Sequence, residues 1–328
     1  MRVALLGLGF MGRTHLTALR SIPGAKLASV FVPEIAQIHA VVQGNLGGEA
    51  KPLDLEDAKV YTSIAETLAD PSVDAVDICL PTHLHADTAI AALQAGKHVL
   101  VEKPMAVDPL SAAEVIEAAR KAKRTLMSAH VLRFFPEYRP LREAMRNGDL
   151  GQLRMLTLRR SCGAPTWGDW FYDSSKSGGA VLDLLIHDAD MALSLLGAPR
   201  AIYSTGYRDM RRGIDVVSAQ LSYERGPAVV IEGGWHPPKA FPFSMGYTAV
   251  FDEATLDFTS LGGGVVLHRD GKPPDALPLA PADPYAEEIR YFLECCAEGR
   301  EPDLCPPEQS AQAIDVCLRM AEGRLAHH

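Results

Sequence analysis

At 328 residues the chain exceeds one average domain and accommodates two. Its hydrophobic content of 47% and charged content of 22% are those of an ordinary globular protein, and the net charge of −9 argues against nucleic acid, whose phosphates need a basic face. No apolar run approaches the ~18 residues of a membrane helix, and the short apolar start, soon broken by glycines, is no signal peptide. The cysteines Cys79, Cys162, Cys295, Cys296, Cys305 and Cys317 form no C-x-x-C pair and suit a reducing compartment, so a cytoplasmic protein with no membrane partner is expected.

Residues 3–6 form an apolar strand, followed at once by Gly7-Leu8-Gly9-Phe10-Met11-Gly12 and a helix-like stretch over residues 13–20. This is G-x-G-x-x-G in the order strand, tight turn, helix, where glycines let the backbone approach a pyrophosphate at the helix N-terminus. Phe10 and Met11 lie inside the turn and join its glycines as cofactor-binding candidates. The second strand, residues 26–32, ends in Val32-Pro33, where dinucleotide folds usually place an acid on the ribose 2′-OH. Glu34 is the nearest acid, and no arginine stands nearby for a 2′-phosphate. The cofactor is therefore NAD or NADP, with a lean to NAD.

Ser63-Ile64-Ala65-Glu66 is a capping-box pattern, and a strand over residues 73–80 runs into Leu80-Pro81-Thr82, with His85 just beyond. A helix over residues 86–95 stops at Gly96. Val99, Leu100 and Val101 then give way abruptly to Glu102-Lys103-Pro104. Proline has no N–H for a central strand, so Lys103 sits at the carboxyl edge of a sheet, where open α/β sheets bind ligands. Leu80, Pro81, Thr82, His85, Glu102 and Lys103 are cofactor-side candidates on that placement. Ser111 is expected to cap a helix running to about Arg124. This alternation implies a parallel, doubly wound sheet.

A strand over residues 125–135 closes this half, with the domain division at 1–125 and 126–328. A helix over residues 136–146 follows. The grammar then changes to strands over residues 153–162, 201–208, 216–223, 228–235, 246–251 and 255–260. Val217, Ala219, Leu221 and Tyr223 alternate with polar Ser218, Gln220 and Ser222, as in a two-faced sheet. The second domain is therefore α+β with a largely antiparallel open sheet. Residues 272–284 read as a surface loop, and helices over residues 285–297 and 307–325 end the chain.

A second chemical motif begins at Gly178-Gly179, which open a helix expected to run to Leu196. Asp183 and His187, four apart, share one face among Leu182, Leu185, Ile186 and Ala189, and an acid and base on an apolar helix point to proton chemistry. A metal set of Asp183, His187 and Asp190, with His130, matches no known ligand motif, so no metal is expected. Trp167, Trp170 and Tyr172, with Trp235 at a later strand end, are candidate sugar-stacking contacts.

Taken together, Gly7-x-Gly9-x-x-Gly12, Glu102-Lys103-Pro104, Arg133-Phe134, Gly178-Gly179 through Asp183-x-x-x-His187, and the late Pro284-Tyr285 helix resemble the Gfo/Idh/MocA family of sugar and cyclitol oxidoreductases along essentially the whole chain. The resemblance implies a Rossmann domain, then an α/β domain whose open sheet joins subunits into a homodimer or homotetramer. It also implies catalytic Lys103, Asp183 and His187, a cis Lys103-Pro104 bond, and a substrate contact at Arg133. Val32 departs from the acid that many members carry. The expected reaction is hydride transfer between the nicotinamide and a ring carbon of a sugar or cyclitol, with His187 as first choice for acid/base and Lys103 stabilising the reacting oxygen. The alternatives are a redox-neutral glycoside-cleaving or hydrating relative with tightly held NAD, and a nucleotide-binding regulator, against which the intact trio argues.

Overall fold

The computed structural model describes residues 1–39, 53, 55 and 57–326. The chain forms two compact units. The first comprises Met1–Val131 and Asp283–Ala311, and the second Leu132–Ala282 and Gln312–His328.

The first unit is built on β1 (Arg2–Leu6), α1 (Phe10–Arg20), β2 (Lys26–Phe31), β3 (Lys59–Tyr61), α2 (Ile64–Ala69), β4 (Ala75–Ile78), α3 (His85–Gln94), β5 (His98–Glu102), α4 (Pro109–Ala122) and β6 (Leu126–Ala129). Every strand pair is parallel, in the order β3-β2-β1-β4-β5-β6. Apolar runs dictate this: β4 and β6 are buried at every position, as strands covered on both faces must be. The sheet reverses its winding between β1 and β4, so the crevice outside those strand ends is the ligand position of this topology.

Helix starts follow the expected chemistry with one correction. Ser63 caps α2 by accepting the Glu66 N–H at 3.4 Å, whereas α4 is capped by Asp108 and not by Ser111, whose N–H donates to the Asp108 carboxylate at 2.9 Å. Pro109 takes the first helical position, where its missing N–H costs nothing. The strand expected to reach residue 135 stops at Ala129 and gives way to a short 3-10 turn at Val131–Arg133. Because β6 pairs with β5, the first unit extends past the division expected at 125.

The second unit contains α5 (Arg139–Asn147), β7 (Leu153–Cys162), α6 (Ser174–Ser177), α7 (Gly179–Asp183), α8 (Ile186–Leu196), β8 (Ala201–Asp209), β9 (Ile214–Ser222), β10 (Ala228–Trp235), β11 (Ser244–Phe251), β12 (Thr255–Thr259), β13 (Gly264–His268) and β14 (Asp275–Ala276). After α9 (Pro284–Glu298), which belongs to the first unit, and α10 (Pro307–Glu322), the chain ends in β15 (Arg324–Ala326). The nine-stranded sheet runs β14-β13-β12-β11-β7-β10-β9-β8-β15 and is antiparallel except where β7 meets β10 and β8 meets β15. Val217, Ala219 and Leu221 face the core, as their alternation predicts. The opposite face carries Met155, Tyr203 and Leu325, all exposed. The last helix ends at Glu322, short of the expected 325, because the following residues turn into β15 beside β8.

Candidate active site

In the first unit the glycine turn occupies the expected crevice. Gly7 has φ +98°, and a Cβ there would stand 2.6 Å from the Cys79 carbonyl oxygen; a Cβ on Gly12 would overlap the Gly7 carbonyl. Both positions thus exclude any side chain for the chain's own sake. Gly9 differs: a Cβ there meets nothing within 4 Å. Gly9 is the N-cap of α1, no side chain caps that helix, and its first turn holds no acid. Open space, unsatisfied N–H groups and the positive end of the helix dipole fit a dinucleotide pyrophosphate. Phe10 and Met11 are half-buried beside it.

The other cofactor-side candidates divide. Val32 is fully buried in a cluster with Leu5, Leu8, Leu16 and Val30, so its side chain packs the core and offers no ribose contact; Pro33 and Glu34 are exposed next to it. Leu80 and Pro81 are partly exposed, while Thr82 is buried. His85 is 1% exposed, and its ring nitrogens each lie 2.7 Å from a backbone carbonyl, Nδ1 from Pro104 and Nε2 from Leu80. It clamps the loops after β4 and β5 together, which places it behind the crevice. The Lys103–Pro104 bond is cis, as the resemblance implied. Lys103 is partly exposed at the end of β5. Glu102 turns its carboxylate inward, where Oε1 lies 3.1 Å from His15 Nε2 and Oε2 accepts the Lys103 N–H at 2.9 Å.

That contact opens a network the sequence reading missed. His15, on α1, is fully buried, and its Nδ1 meets both Asp77 oxygens at 3.1 and 3.0 Å. Burial pulls the imidazole toward neutrality, but the Asp77 charge and hydrogen bond, aided by Cys79, hold it well above the ordinary histidine value. Burial likewise raises Glu102, and the hydrogen bond and charge of His15 more than reverse this. Among the described residues, His15, Asp77 and Cys79 group their donor atoms tightly enough for a metal. Burial pushes the Cys79 thiol far up, however, and His15 Nε2 lies in ion-pair range of Glu102, so the group is a buried charge network and not a ligand set. The available signal was Asp77 itself, an acid between Val76 and Ile78 in an apolar strand, which demands a partner.

In the second unit the continuous helix expected from Gly178 to Leu196 is broken. Leu184 and Leu185 both donate their N–H to the Ala180 carbonyl, at 2.8 and 3.1 Å, and a new helix starts at Ile186. The second bond spans five residues, a π-type turn of the kind that often marks functional sites. Asp183 therefore ends α7 and His187 lies in the first turn of α8. Across residues 179–193 these two alone are not buried. The four-residue spacing was read on a continuous helix, and the break places the two residues on separate helices.

Buried ion pairs surround that turn. Arg160 on β7 donates to Asp188 at 2.8 and 3.3 Å, and Arg133 donates to Asp190 at 2.8 and 2.6 Å. Asp215 on β9 pairs with Arg324 on β15, and its Oδ2 accepts the Ala180 N–H at 2.7 Å. Arg133, expected as a substrate contact, is 4% exposed and committed to Asp190; the same bond commits Asp190, removing it from the metal set considered above. Trp235 is also corrected: it is fully buried in a cluster with Cys162, Phe171, Ala180 and Leu184. Trp170 stacks on Phe171 at 3.8 Å, and Trp167 meets the same ring edge-on at 5.8 Å while remaining 38% exposed. Tyr172 is half-buried.

A parallel sheet of this order with an open glycine turn at its switch point defines a dinucleotide-binding fold. Residues 1–130 match the family model described as "Oxidoreductase family, NAD-binding Rossmann fold", and residues 138–256 match the GFO/IDH/MocA C-terminal domain. The chain is 31% identical to UDP-N-acetylglucosamine 3-dehydrogenase of Acidithiobacillus ferrooxidans, over 98% of this chain and 96% of that one. It is 34% identical to myo-inositol 2-dehydrogenase of Thermotoga maritima over 197 residues, 60% of this chain and 55% of that one. Its fold matches levoglucosan dehydrogenase in complex with NADH, with a TM-score of 0.84 and 19% identity over 98% of this chain and 96% of that one. The chain belongs to the Gfo/Idh/MocA oxidoreductase family. Among the described residues, no helix is long and apolar enough to cross a membrane.

Proposed function

We propose that this enzyme transfers a hydride between NAD or NADP and a hydroxyl-bearing ring carbon of a sugar, sugar derivative or cyclitol. The observation that carries the reading is the open space at Gly9 on the carboxyl edge of the sheet, where Lys103 directly follows β5. Relatives named as dehydrogenases of myo-inositol and of UDP-N-acetylglucosamine support the substrate class.

When bound, the nicotinamide supplies or accepts the hydride. The protein's own residues handle the proton. His187 is assigned as the acid/base, because histidine is the side chain best suited to exchange a proton in this role and its turn leaves it partly exposed in a buried run. Lys103 is assigned as a donor to the reacting oxygen, stabilising the negative charge that develops as the hydroxyl proton leaves in oxidation or as the hydride arrives in reduction. Asp183 is assigned to orient His187 or a neighbouring hydroxyl. The exposed edge of Trp167 and the half-buried Tyr172 offer apolar faces for sugar C–H groups.

The enzyme works in this reading as a homodimer or homotetramer joined through the open sheet face. On that face Tyr203 stands opposite Gln220 and Leu325 opposite Tyr207, and Met155 and Tyr203 are exposed apolar groups that a second copy would cover. The six free cysteines support a cytoplasmic location in this reading.

The test is absorbance at the reduced-nicotinamide band while inositols, aldoses, keto-sugars and sugar nucleotides are screened with both cofactors. Lys103→Met is expected to bind cofactor normally and lose at least about 100-fold in turnover. Near-normal turnover by that variant would refute the assignment of Lys103.

A further inference from the structure

We propose that His15 is a positioning residue for Lys103: it ties Asp77 on β4 to Glu102 on β5 and, through Glu102, fixes the backbone of the lysine. The inference rests on the reading above that Lys103 serves the reaction.

The geometry is a single chain of contacts. Asp77 meets His15 Nδ1 at 3.0 Å, His15 Nε2 meets Glu102 Oε1 at 3.1 Å, and Glu102 Oε2 accepts the Lys103 N–H at 2.9 Å. His15, Asp77 and Glu102 are all buried. Two carboxylates flank one ring: Asp77 hydrogen-bonds Nδ1, whereas Nε2 makes an ion-pair contact to Glu102 without hydrogen-bond alignment, and both contacts are favourable together only when the ring is a cation. The imidazolium also supplies the counter-charge that two buried acids require. Cys79 Sγ, 3.5 Å from Nδ1, and the Tyr285 ring of α9, 6.1 Å away, complete the groups facing the histidine, and Lys103 lies behind Glu102.

A purely structural role would be served by any well-packed core. This relay instead ends at one backbone N–H, that of Lys103. It also begins on α1, three residues past Gly12, so the helix that carries the glycine turn is tied to the strand end that carries the lysine. Loss of a proton from His15 removes the counter-charge that faces Glu102 and loosens its grip on the Lys103 N–H.

The experiment uses the full chain and needs no substrate. Lysines are labelled with limiting acetic anhydride across pH 6–10 and quantified by mass spectrometry in wild type and His15→Gln. The expected result is a change of at least fivefold in the Lys103 labelling rate, or a shift of its midpoint by about one pH unit, with exposed Lys26 and Lys121 unchanged. Combining His15→Gln with Glu102→Gln should move Lys103 no more than twofold beyond Glu102→Gln alone, because the histidine acts through that carboxylate. A Lys103 rate within twofold of wild type, or additive effects in the double variant, overturns the relay. If His15→Gln does not fold, Asp77→Asn keeps the shape, removes one charge and is read by the same criteria. Lys103→Met separates the two ideas: retained turnover in that variant sinks the catalytic reading, whereas an unmoved Lys103 in His15→Gln sinks the relay alone.

Discussion

Two glycine turns in this protein open helices in opposite ways. At Gly9 the space beside the backbone is empty and α1 begins with no capping side chain and no acid in its first turn. At Gly178-Gly179 the space is already filled: a Cβ on Gly179 would overlap the Asp215 carboxylate, which accepts the Ala180 N–H. The first turn leaves its helix dipole for a ligand, and the second satisfies its dipole from within the chain. A glycine pair ahead of a helix therefore identifies a tight approach without saying what approaches. The residue that meets a virtual Cβ decides between an anion site and a structural brace.

The brace should break hardest. Asp215→Ala leaves Arg324 buried and without its carboxylate, and is expected to destabilise the protein by about 3–5 kcal/mol in urea titrations. A loss under 1 kcal/mol would mean that the pair is not what holds the second turn.

The ligand turn should respond with the opposite signature. Gly9→Ala meets no atom of the protein, so the melting temperature should stay within a few degrees while dinucleotide affinity falls at least tenfold, about 1.4 kcal/mol. Gly12→Ala, whose Cβ overlaps Gly7, should lose stability and affinity together. Cofactor titration by intrinsic fluorescence distinguishes them, and unaltered affinity in Gly9→Ala would remove the pyrophosphate from that turn.

The smallest expected effect is a difference in pH response. The first turn is backed by His15, raised well above its ordinary value, so its stabilisation is fully present below about pH 6.5 and is lost as pH rises through the raised value. The second is backed by arginines, which keep their charge throughout. Between pH 7 and 9, hydrogen exchange corrected for intrinsic rates should show β4 and β5 losing protection, by at most about 1.4 kcal/mol per pH unit, while α7 and α8 hold theirs. Equal losses in both regions would place the titrating group elsewhere.

What the sequence made legible was local. The glycine turn, the apolar strands of the first sheet, the Lys103 strand end and the four-residue spacing of Asp183 and His187 are set by neighbours within one turn or one strand. What it concealed depends on partners far along the chain. Asp190 read as a member of a metal set and Asp188 carried no reading, because their partners Arg133 and Arg160 stand far back along the chain. The break at Leu184–Leu185 has no glycine or proline to announce it. Trp235 is an aromatic at a strand end, and only the packing of Phe171 and Leu184 against it makes it core. His15 sat in plain view on α1, but its meaning required Asp77 and Glu102, which lie 62 and 87 positions later (77 − 15 and 102 − 15).

The route of the chain through the first unit has a consequence for biosynthesis. Its strands are complete by Ala129, yet α9, which contributes buried Ile289 and Phe292 and lays Tyr285 near His15, is made only after residues 132–282. A nascent chain therefore carries an unfinished apolar flank throughout synthesis of the second sheet. Closing that gap means pairing segments of very distant sequence position, which is slow by its topology. Truncation before residue 283 would leave this flank permanently bare, and such fragments should aggregate or recruit chaperones even though every strand of their parallel sheet is present.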